Sequence, residues 1–326
     1  VLSTIDQCHE KGIKGLCIIT AGFKETGKEG AEAEKQLLAK VREYGMRCVG
    51  PNCLGVVNTH PDVRMDGCFA ESLPERGNIG FVSQSGALGG GILNILKDLN
   101  LGFAQFISIG NQADVNAETA LEYWEDEKDV EQILLYMESI QNPANFRKLA
   151  SRISKKKPIL ALKAGRSAAG ASAASSHTGS LAGADKAANA LLNQSGVIRE
   201  YSLQDLFATA KVFANCPIPK GDRVAIITNS GGPGIMATDA ICEHGMQIAK
   251  ISDETKEKLR SFLPSAASVK NPIDMIASAP IEHYKQTLET VIADENVDMI
   301  ITIYLPFLGL KDIDVAKALM EIKAEH

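Results

Sequence analysis

The sequence predicts an α/β protein built on parallel sheets, and three observations carry that reading. Continuous apolar runs such as QILLYMES (132–139) and RVAIIT (223–228) lack the alternation of a half-exposed strand and read as strands covered on both faces. Charged segments of helical period separate them, as parallel pairing with crossover helices requires. Ser/Gly turns follow two of the runs and lead directly into helices. With 326 residues, 45% hydrophobic and 23% charged, the chain is long enough for two or three domains with their own cores.

The elements follow in order. The opening VLSTIDQCHEKGIKGLCIIT reads as a helix end running into a buried strand at GLCIIT (15–20), so the chain is expected to begin within a domain. A charged helix near 28–45 precedes a strand at RCVG (47–50), and a turn-rich connection leads to NIGFVS (78–83). GALGGGILNILKDLN is helical, GFAQFISIG (102–110) is a strand, and a helix lies around AETALEYWEDE. After QILLYMES come the helix NPANFRKLASRISKK, the strand PILALKAG (158–165), a small-residue segment, and a helix from about Gly183. Two prolines in NCPIPKGD (215–222) break the pattern. RVAIIT then starts a new sheet, with a helix near 233–245 and a strand at MIITIYL (299–305). The last residues, VAKALMEIKAEH, break off inside a helical pattern. Boundaries near 73–77 and 216–221 divide the chain into 1–75, 76–216 and 217–326.

Composition excludes several classes. A net charge of -6 with no basic patch argues against nucleic-acid binding. No apolar run reaches the ~18 residues of a membrane span, and no N-terminal signal is seen. The seven cysteines lack the paired spacings of a zinc site, and their odd number fits reduced thiols in the cytoplasm. With neither H-E-x-x-H nor C-x-x-C, no protein-bound metal is expected.

Two strand ends share one design, FVSQSGALGG (81–90) and ITNSGGPGIMATD (227–239). The head of a helix carries unpaired N–H donors and about half a positive charge, so small residues there let an anion approach the backbone. Ser85 is placed to cap the first helix, and Pro233 lies near the first turn of the second. The alternative is a plain tight connection, common in any doubly wound sheet. The first turn lacks the full dinucleotide fingerprint, and neither is a P-loop. A serine nucleophile elbow also fails, because Ser83 and Thr228 occupy the first glycine position of G-x-S-x-G.

His177 stands in SSHTGSLAG (175–183), among residues too small to pack around an imidazole. Either it is an ordinary surface residue or the loop exists to carry it. A neutral ring nitrogen can accept a phosphoryl group if a carboxylate orients the other nitrogen. Glu138, at the end of ILLYME, is the candidate partner, since strand carboxyl ends gather at the ligand crevice. Capping a helix or pairing with a lysine is its structural alternative. His9, His60, His244 and His283 read as surface residues.

Taken together, ITAGFKETG (19–27), GPNCLGVVN (50–58), GFVSQSGALG (80–89), GNQADV (110–115), SSHTGSLAGAD (175–185), NSGGPGIMATD (229–239) and NPIDM (271–275) resemble one family along nearly the whole chain. It is the nucleoside-diphosphate-forming acyl-CoA synthetases, the ADP-forming acetate–CoA ligase group, relatives of succinyl-CoA synthetase. The resemblance implies part of a Rossmann-like CoA-binding domain in 1–75, then two flavodoxin-like, succinyl-CoA synthetase-like domains, the last truncated. It implies interconversion of acyl-CoA, ADP and phosphate with acid, CoA and ATP, through an acyl phosphate and a phosphohistidine at His177 oriented by Glu138. Ser85, Gly86, Gly110 and Asn111, together with Asn229, Gly231, Gly232 and Gly234, would then hold phosphate. Thr20, Ala21, Gly22, Phe23 and Asn52 would border CoA and the acyl group. Coenzyme A, ATP or ADP and Mg2+ are the implied cofactors, the nucleotide and metal being held by an ATP-grasp subunit or fused domain as partner. A small carboxylic acid is the implied substrate. The competing reading is the acyl-CoA-sensing region of a protein lysine acetyltransferase, in which the histidine is often lost; a binding module without phosphoryl transfer is a third.

Overall fold

A computed structural model describes residues 1–172, 185–306 and 312–325. The chain divides into two compact units, Val1–Cys216 and Pro217–His326. The division falls within NCPIPKGD, where proline removes the N–H groups that would continue a helix.

The first unit opens with α1 (Leu2–Glu10), followed by β1 (Gly15–Cys17), α2 (Lys28–Glu43) and β2 (Arg47–Val49). β1 and β2 pair in parallel as a small separate sheet. On α2 the buried positions are Gly30, Glu34, Leu37 and Val41, a stripe at helical spacing that holds one carboxylate among apolar residues. β1 itself is more exposed than the buried strand its sequence suggests, with only its middle residue half-buried.

The larger sheet has seven strands. In chain order they are β3 (Gly55–Asn58), β4 (Met65–Cys68), β5 (Arg76–Ser83), β6 (Phe103–Ser108), β7 (Gln132–Met137), β8 (Ile159–Lys163) and β9 (Ile198–Glu200). Across the sheet they run β4-β3-β6-β5-β7-β8-β9. β5 to β9 are all parallel, in the flavodoxin-like order that puts the second strand on one side of the first and the remaining strands on the other. The apolar runs are buried as their pattern demands: Phe81, Val82, Phe103, Phe106, Ile133, Leu134, Leu135, Ile159 and Leu160 are all fully enclosed.

The antiparallel hairpin β3–β4 hydrogen-bonds to β6, so a segment preceding residue 75 is part of the same sheet as 76–216. The sequence reading had only a turn-rich connection here. MDGC carries no apolar run, and three of its four residues are exposed, so edge pairing rather than hydrophobic pattern defines β4.

Helices cover both faces: α3 (Gly86–Leu99), α4 (Ala117–Trp124), α5 (Pro143–Ile153), α6 (Asp185–Gln194) and α7 (Leu203–Asn215). Ser85, Asn116, Asn142 and Ser202 each cap the helix that follows by accepting a backbone N–H. One core layer gathers Trp124, Phe146, Ile133 and Leu135, and the opposite layer Phe81, Phe103, Phe106 and Leu93.

In the second unit β10 (Arg223–Thr228) is the central strand. It is followed by α8 (Gly231–Glu243), β11 (Gln247–Ile248), α9 (Asp253–Phe262), β12 (Ile273–Asp274), α10 (Ile281–Ile292), β13 (Met299–Ile303) and α11 (Asp312–Glu325). β11, β12 and β13 all pair with β10 in parallel. Its core joins Ile227, Ile251, Leu259, Ile273, Tyr284 and Val291. His283, which reads as a surface residue in the sequence, is half-buried, with its ring 6.2 Å from that of Phe262.

Candidate active site at the carboxyl ends of the large sheet

Parallel strands send their carboxyl ends to one edge, and where successive crossovers leave in opposite directions a crevice opens. In the first unit that switch lies between β5 and β7. The residues just beyond them are Gln84 and Ser85 on one side and Glu138 on the other. A cleft of about 510 Å³ opens here, lined among others by Asn52, Leu54, Gln84, Ser85, Gly86, Gly110, Asn111 and Glu138. Six residues expected from sequence thus meet in one place: Asn52, Ser85, Gly86, Gly110, Asn111 and Glu138.

Ser85 adopts an extended backbone at the head of α3, and its hydroxyl accepts the Leu88 N–H at 3.3 Å. The earlier amides, at Gly86 and Ala87, lie on the cleft wall and have no acceptor within the helix. Glu138, buried at 6% exposure, lines the same cleft as these amide dipoles. Gln84 holds the two sides together. Its side-chain oxygen accepts the backbone N–H groups of Glu138 and Ser139, and its amide nitrogen donates to the Ser139 hydroxyl at 2.9 Å. Burial, then the nearby Glu138 charge, pushes the Tyr136 phenol above its ordinary range. Burial also pushes the Lys163 ammonium at the end of β8 down, against the pull of Asp185 and Glu138.

The opposite wall is a pair of interlocked turns. The Gly50–Pro51 peptide is cis, and Asn52 has φ 55°. Gly110 has φ +49°, and a Cβ there would stand 2.3 Å from the carbonyl oxygens of both Pro51 and Asn52, so only glycine fits. Asn111 N–H donates to Pro51 O at 2.9 Å and Ala113 N–H to Gly50 O at 3.1 Å. The Asn111 side chain gives its amide hydrogens to Glu25 Oε2 at 2.6 Å and Glu34 Oε2 at 2.8 Å. Lys24 donates to the Asn111 carbonyl and lies 3.5 Å from Glu34 Oε1.

Other expected residues fall elsewhere. Thr20, Ala21, Gly22 and Phe23 line a separate groove of about 520 Å³ with Val1, Leu2, Ser3 and Ala33. It is tied to the first cleft through the main chain, where Asn52 N–H donates to Thr20 O at 3.0 Å, and through Glu25, which accepts from Asn111 and from the Gly22 and Phe23 N–H groups. His177 lies outside the described residues. Asn229, Gly231, Gly232 and Gly234 belong to the second unit, at the head of α8. There the Asn229 side chain is spent on the backbone of Leu305, donating to its O at 2.8 Å and accepting its N–H at 2.9 Å. A Cβ on Gly231 would be 3.3 Å from Asp274 Oδ2 and one on Gly234 would press on Thr228 and Pro272, whereas Gly232 has open space. Among the described residues no cluster of three His, Cys, Asp or Glu is arranged to hold a metal, and no helix is long and apolar enough to cross a membrane.

Sequence reasoning missed Gln84, Lys24, Glu25 and Glu34. Glu34 left a trace, being a charge on the buried stripe of α2. Gln84 left none, since its partners lie over fifty residues away.

Comparison with known proteins agrees with this architecture. Residues 76–213 match the succinyl-CoA ligase-like flavodoxin domain, and 224–322 match the ligase-CoA domain. The chain is 44% identical to the α subunit of ADP-forming acetate–CoA ligase II of Pyrococcus furiosus, over all of this chain and 71% of that one. It is 36% identical to the ADP-forming 4-hydroxybutyrate–CoA ligase of Nitrosopumilus maritimus, of which it spans 47%, or about half. Among solved structures it resembles an acetyl-coenzyme A synthetase of Ca. Korarchaeum cryptofilum in complex with phosphate and ADP, with TM-score 0.94, 34% identity, and coverage of 99% of this chain and 69% of that one.

Proposed function

The chain belongs to the ADP-forming acetate–CoA ligase family, and from that premise we propose that it is the acyl- and phosphoryl-transferring module of an ADP-forming acyl-CoA synthetase. In the direction of ATP synthesis, a phosphate oxygen attacks the acyl carbon of acyl-CoA. The C–S bond breaks, CoA thiol takes a proton, and acyl phosphate remains in the cleft. A ring nitrogen of His177 then attacks phosphorus, the carboxylate leaves, and the phosphoryl group passes from the imidazole to ADP.

The observation that carries this reading is the meeting of Glu138 with the head of α3 in one cleft. The α3 amides suit the oxygens of phosphate. Glu138 is the carboxylate that orients the imidazole and stabilises the positive charge it gains. Gly110 keeps the facing turn close to the cleft, and Asn52 borders the acyl end. Thr20 to Phe23 border CoA, and Gly231, Gly232 and Gly234 at the head of α8 serve a phosphate from the second unit.

The substrate is a small carboxylic acid. Nucleotide and its Mg2+ are held by an ATP-grasp partner, as a separate subunit or a fused domain. The naming of the Pyrococcus relative as an α subunit, and the greater length of the relatives, favour such a partner. Seven free thiols fit the cytoplasm. The Pyrococcus and Nitrosopumilus relatives are ligases, which favours this function over a regulatory region of an acetyltransferase. The test is acyl-CoA-dependent ATP formation from ADP and phosphate by the chain combined with its ATP-grasp partner. Activity lost in Glu138→Ala supports the reading; full activity in that variant contradicts it.

A further inference from the structure

Asn111 is 5% exposed and its side-chain nitrogen faces two carboxylates, Glu25 and Glu34. An amide has a donor end and an acceptor end that coordinates alone distinguish poorly. Here chemistry decides, because an ionised carboxylate only accepts. Both hydrogens on Nδ2 are therefore committed to Glu25 and Glu34, and Oδ1 must point away from them. The group it meets is Asn52 Nδ2, at 3.3 Å. That contact fixes the second amide in turn. Asn52 spends one hydrogen on Asn111 and keeps the other, and Asn52 lines the cleft beside Ser85 and Gly110.

We propose that Glu25 and Glu34 are positioning residues whose carboxylates set the polarity of Asn111 and, through it, make Asn52 an N–H donor toward the carbonyl oxygen of the bound acyl group. This rests on the functional reading above and extends it to residues outside the expected set. When the CoA thiolate attacks the acyl carbon of the acyl phosphate, the carbonyl electron pair moves onto oxygen. It returns as the C–O bond to phosphate breaks and phosphate leaves. A donor aimed at that oxygen is worth most while the charge is there.

The surroundings hold the relay in one state. Glu25 Oε1 accepts the N–H groups of Gly22, at 2.6 Å, and Phe23, at 3.1 Å. Although burial opposes it, the hydrogen bonds from Asn111 and from the Gly22 and Phe23 amides keep the Glu25 carboxyl below its ordinary range, so it remains an acceptor. Lys24 supplies the counter-charge to Glu34. The Asn52 main chain is pinned by its N–H to Thr20 O and by the close approach of Gly110 to its carbonyl. The relay can thus change only by rotation of an amide.

The test is acetyl-CoA formation from acetyl phosphate and CoA by the full ligase, with ATP-dependent phosphorylation of His177 measured on the same preparations. Asn52→Ala is expected to lower kcat about 10²-fold, as removal of one oxyanion donor does. Glu34→Gln offers Asn111 a donor and releases its orientation. It is expected to lower kcat at least about tenfold with KM for CoA within about threefold, and Glu25→Gln, at a half-exposed position, to act in the same direction. His177 phosphorylation stays at the wild-type rate in all three. Because both changes act through one N–H, Asn52→Ala/Glu34→Gln is expected to be no slower than Asn52→Ala alone. Full acyl transfer in both glutamine variants, or losses that multiply in the double variant, overturns the relay while leaving the functional reading intact. A wild-type ligase that makes no acyl-CoA from acetyl phosphate or any other small acyl phosphate overturns the functional reading, and the relay with it.

Discussion

Gln84 clamps Glu138: from just beyond β5 its side-chain oxygen takes the backbone N–H of Glu138, the residue just beyond β7, and the next N–H, of Ser139, at 3.0 Å. Both groups are buried, at 6% exposure each. The carboxylate is thereby set by a neighbouring strand as well as by its own. Replacing Gln84 by leucine strands the buried Glu138 N–H, at a cost of about 1–3 kcal/mol, and the half-buried Ser139 N–H as well. The expected result is a lower melting temperature and a fall in turnover of about tenfold or more, approaching that of Glu138→Gln. Thermal unfolding and steady-state rates of the reconstituted ligase check this; an unchanged rate in a destabilised Gln84→Leu would show that the clamp serves stability alone.

Gly110 allows no side chain. With φ +49° and two carbonyl oxygens 2.3 Å from a Cβ, Gly110→Ala must either strain the turn or separate it from Pro51 and Asn52. The left-handed backbone alone costs an alanine about 1–2 kcal/mol. Chemical denaturation should register at least that loss, and the ligase should lose acyl transfer as the cleft wall moves. An alanine variant of wild-type stability and activity would mean that the two turns are not in contact.

In the second unit, Asp298 receives the Arg223 guanidinium at 2.7 and 2.8 Å and the Arg223 N–H at 3.0 Å. Those bonds hold its carboxyl at about 2, below the ordinary value of 3.8. A depressed native pKa contributes stability above the unfolded value, and that contribution is lost as pH falls through about 4 toward 2. Asp298→Asn should therefore unfold more readily at pH 7 and show a flatter acid limb between pH 4 and 2. Melting curves at low salt across pH 2–7 decide it; parallel curves for variant and wild type would remove the pair from the acid response.

Much of the fold was legible because strands buried on both faces must be written as apolar runs, and β5, β7, β8 and β10 are. The β3–β4 hairpin was not, since its exposed outer strand carries no such run. Glu138 could be found from its position at a strand end, and Ser85 from its capping chemistry. Gln84 and the Glu25–Asn111–Glu34 cluster could not, because their function lies in contacts spanning 54 to 86 residues of chain. Sequence reasoning also grouped Thr20 to Phe23 with Asn52, whereas two grooves divide them. Local pattern reports burial and backbone need; it does not report which distant side chain satisfies a donor.

The proposed function requires that a phosphoryl group travel through this chain on the His177 imidazole. The most direct measurement is incubation of the chain and its ATP-grasp partner with γ-labelled Mg-ATP, followed by mapping of the label. The account predicts acid-labile, base-stable phosphate on His177, discharged by acetate and CoA, absent in His177→Ala and slower to form in Glu138→Gln. A folded, nucleotide-binding complex that carries no such phosphate, or a His177→Ala ligase with full turnover, would contradict it.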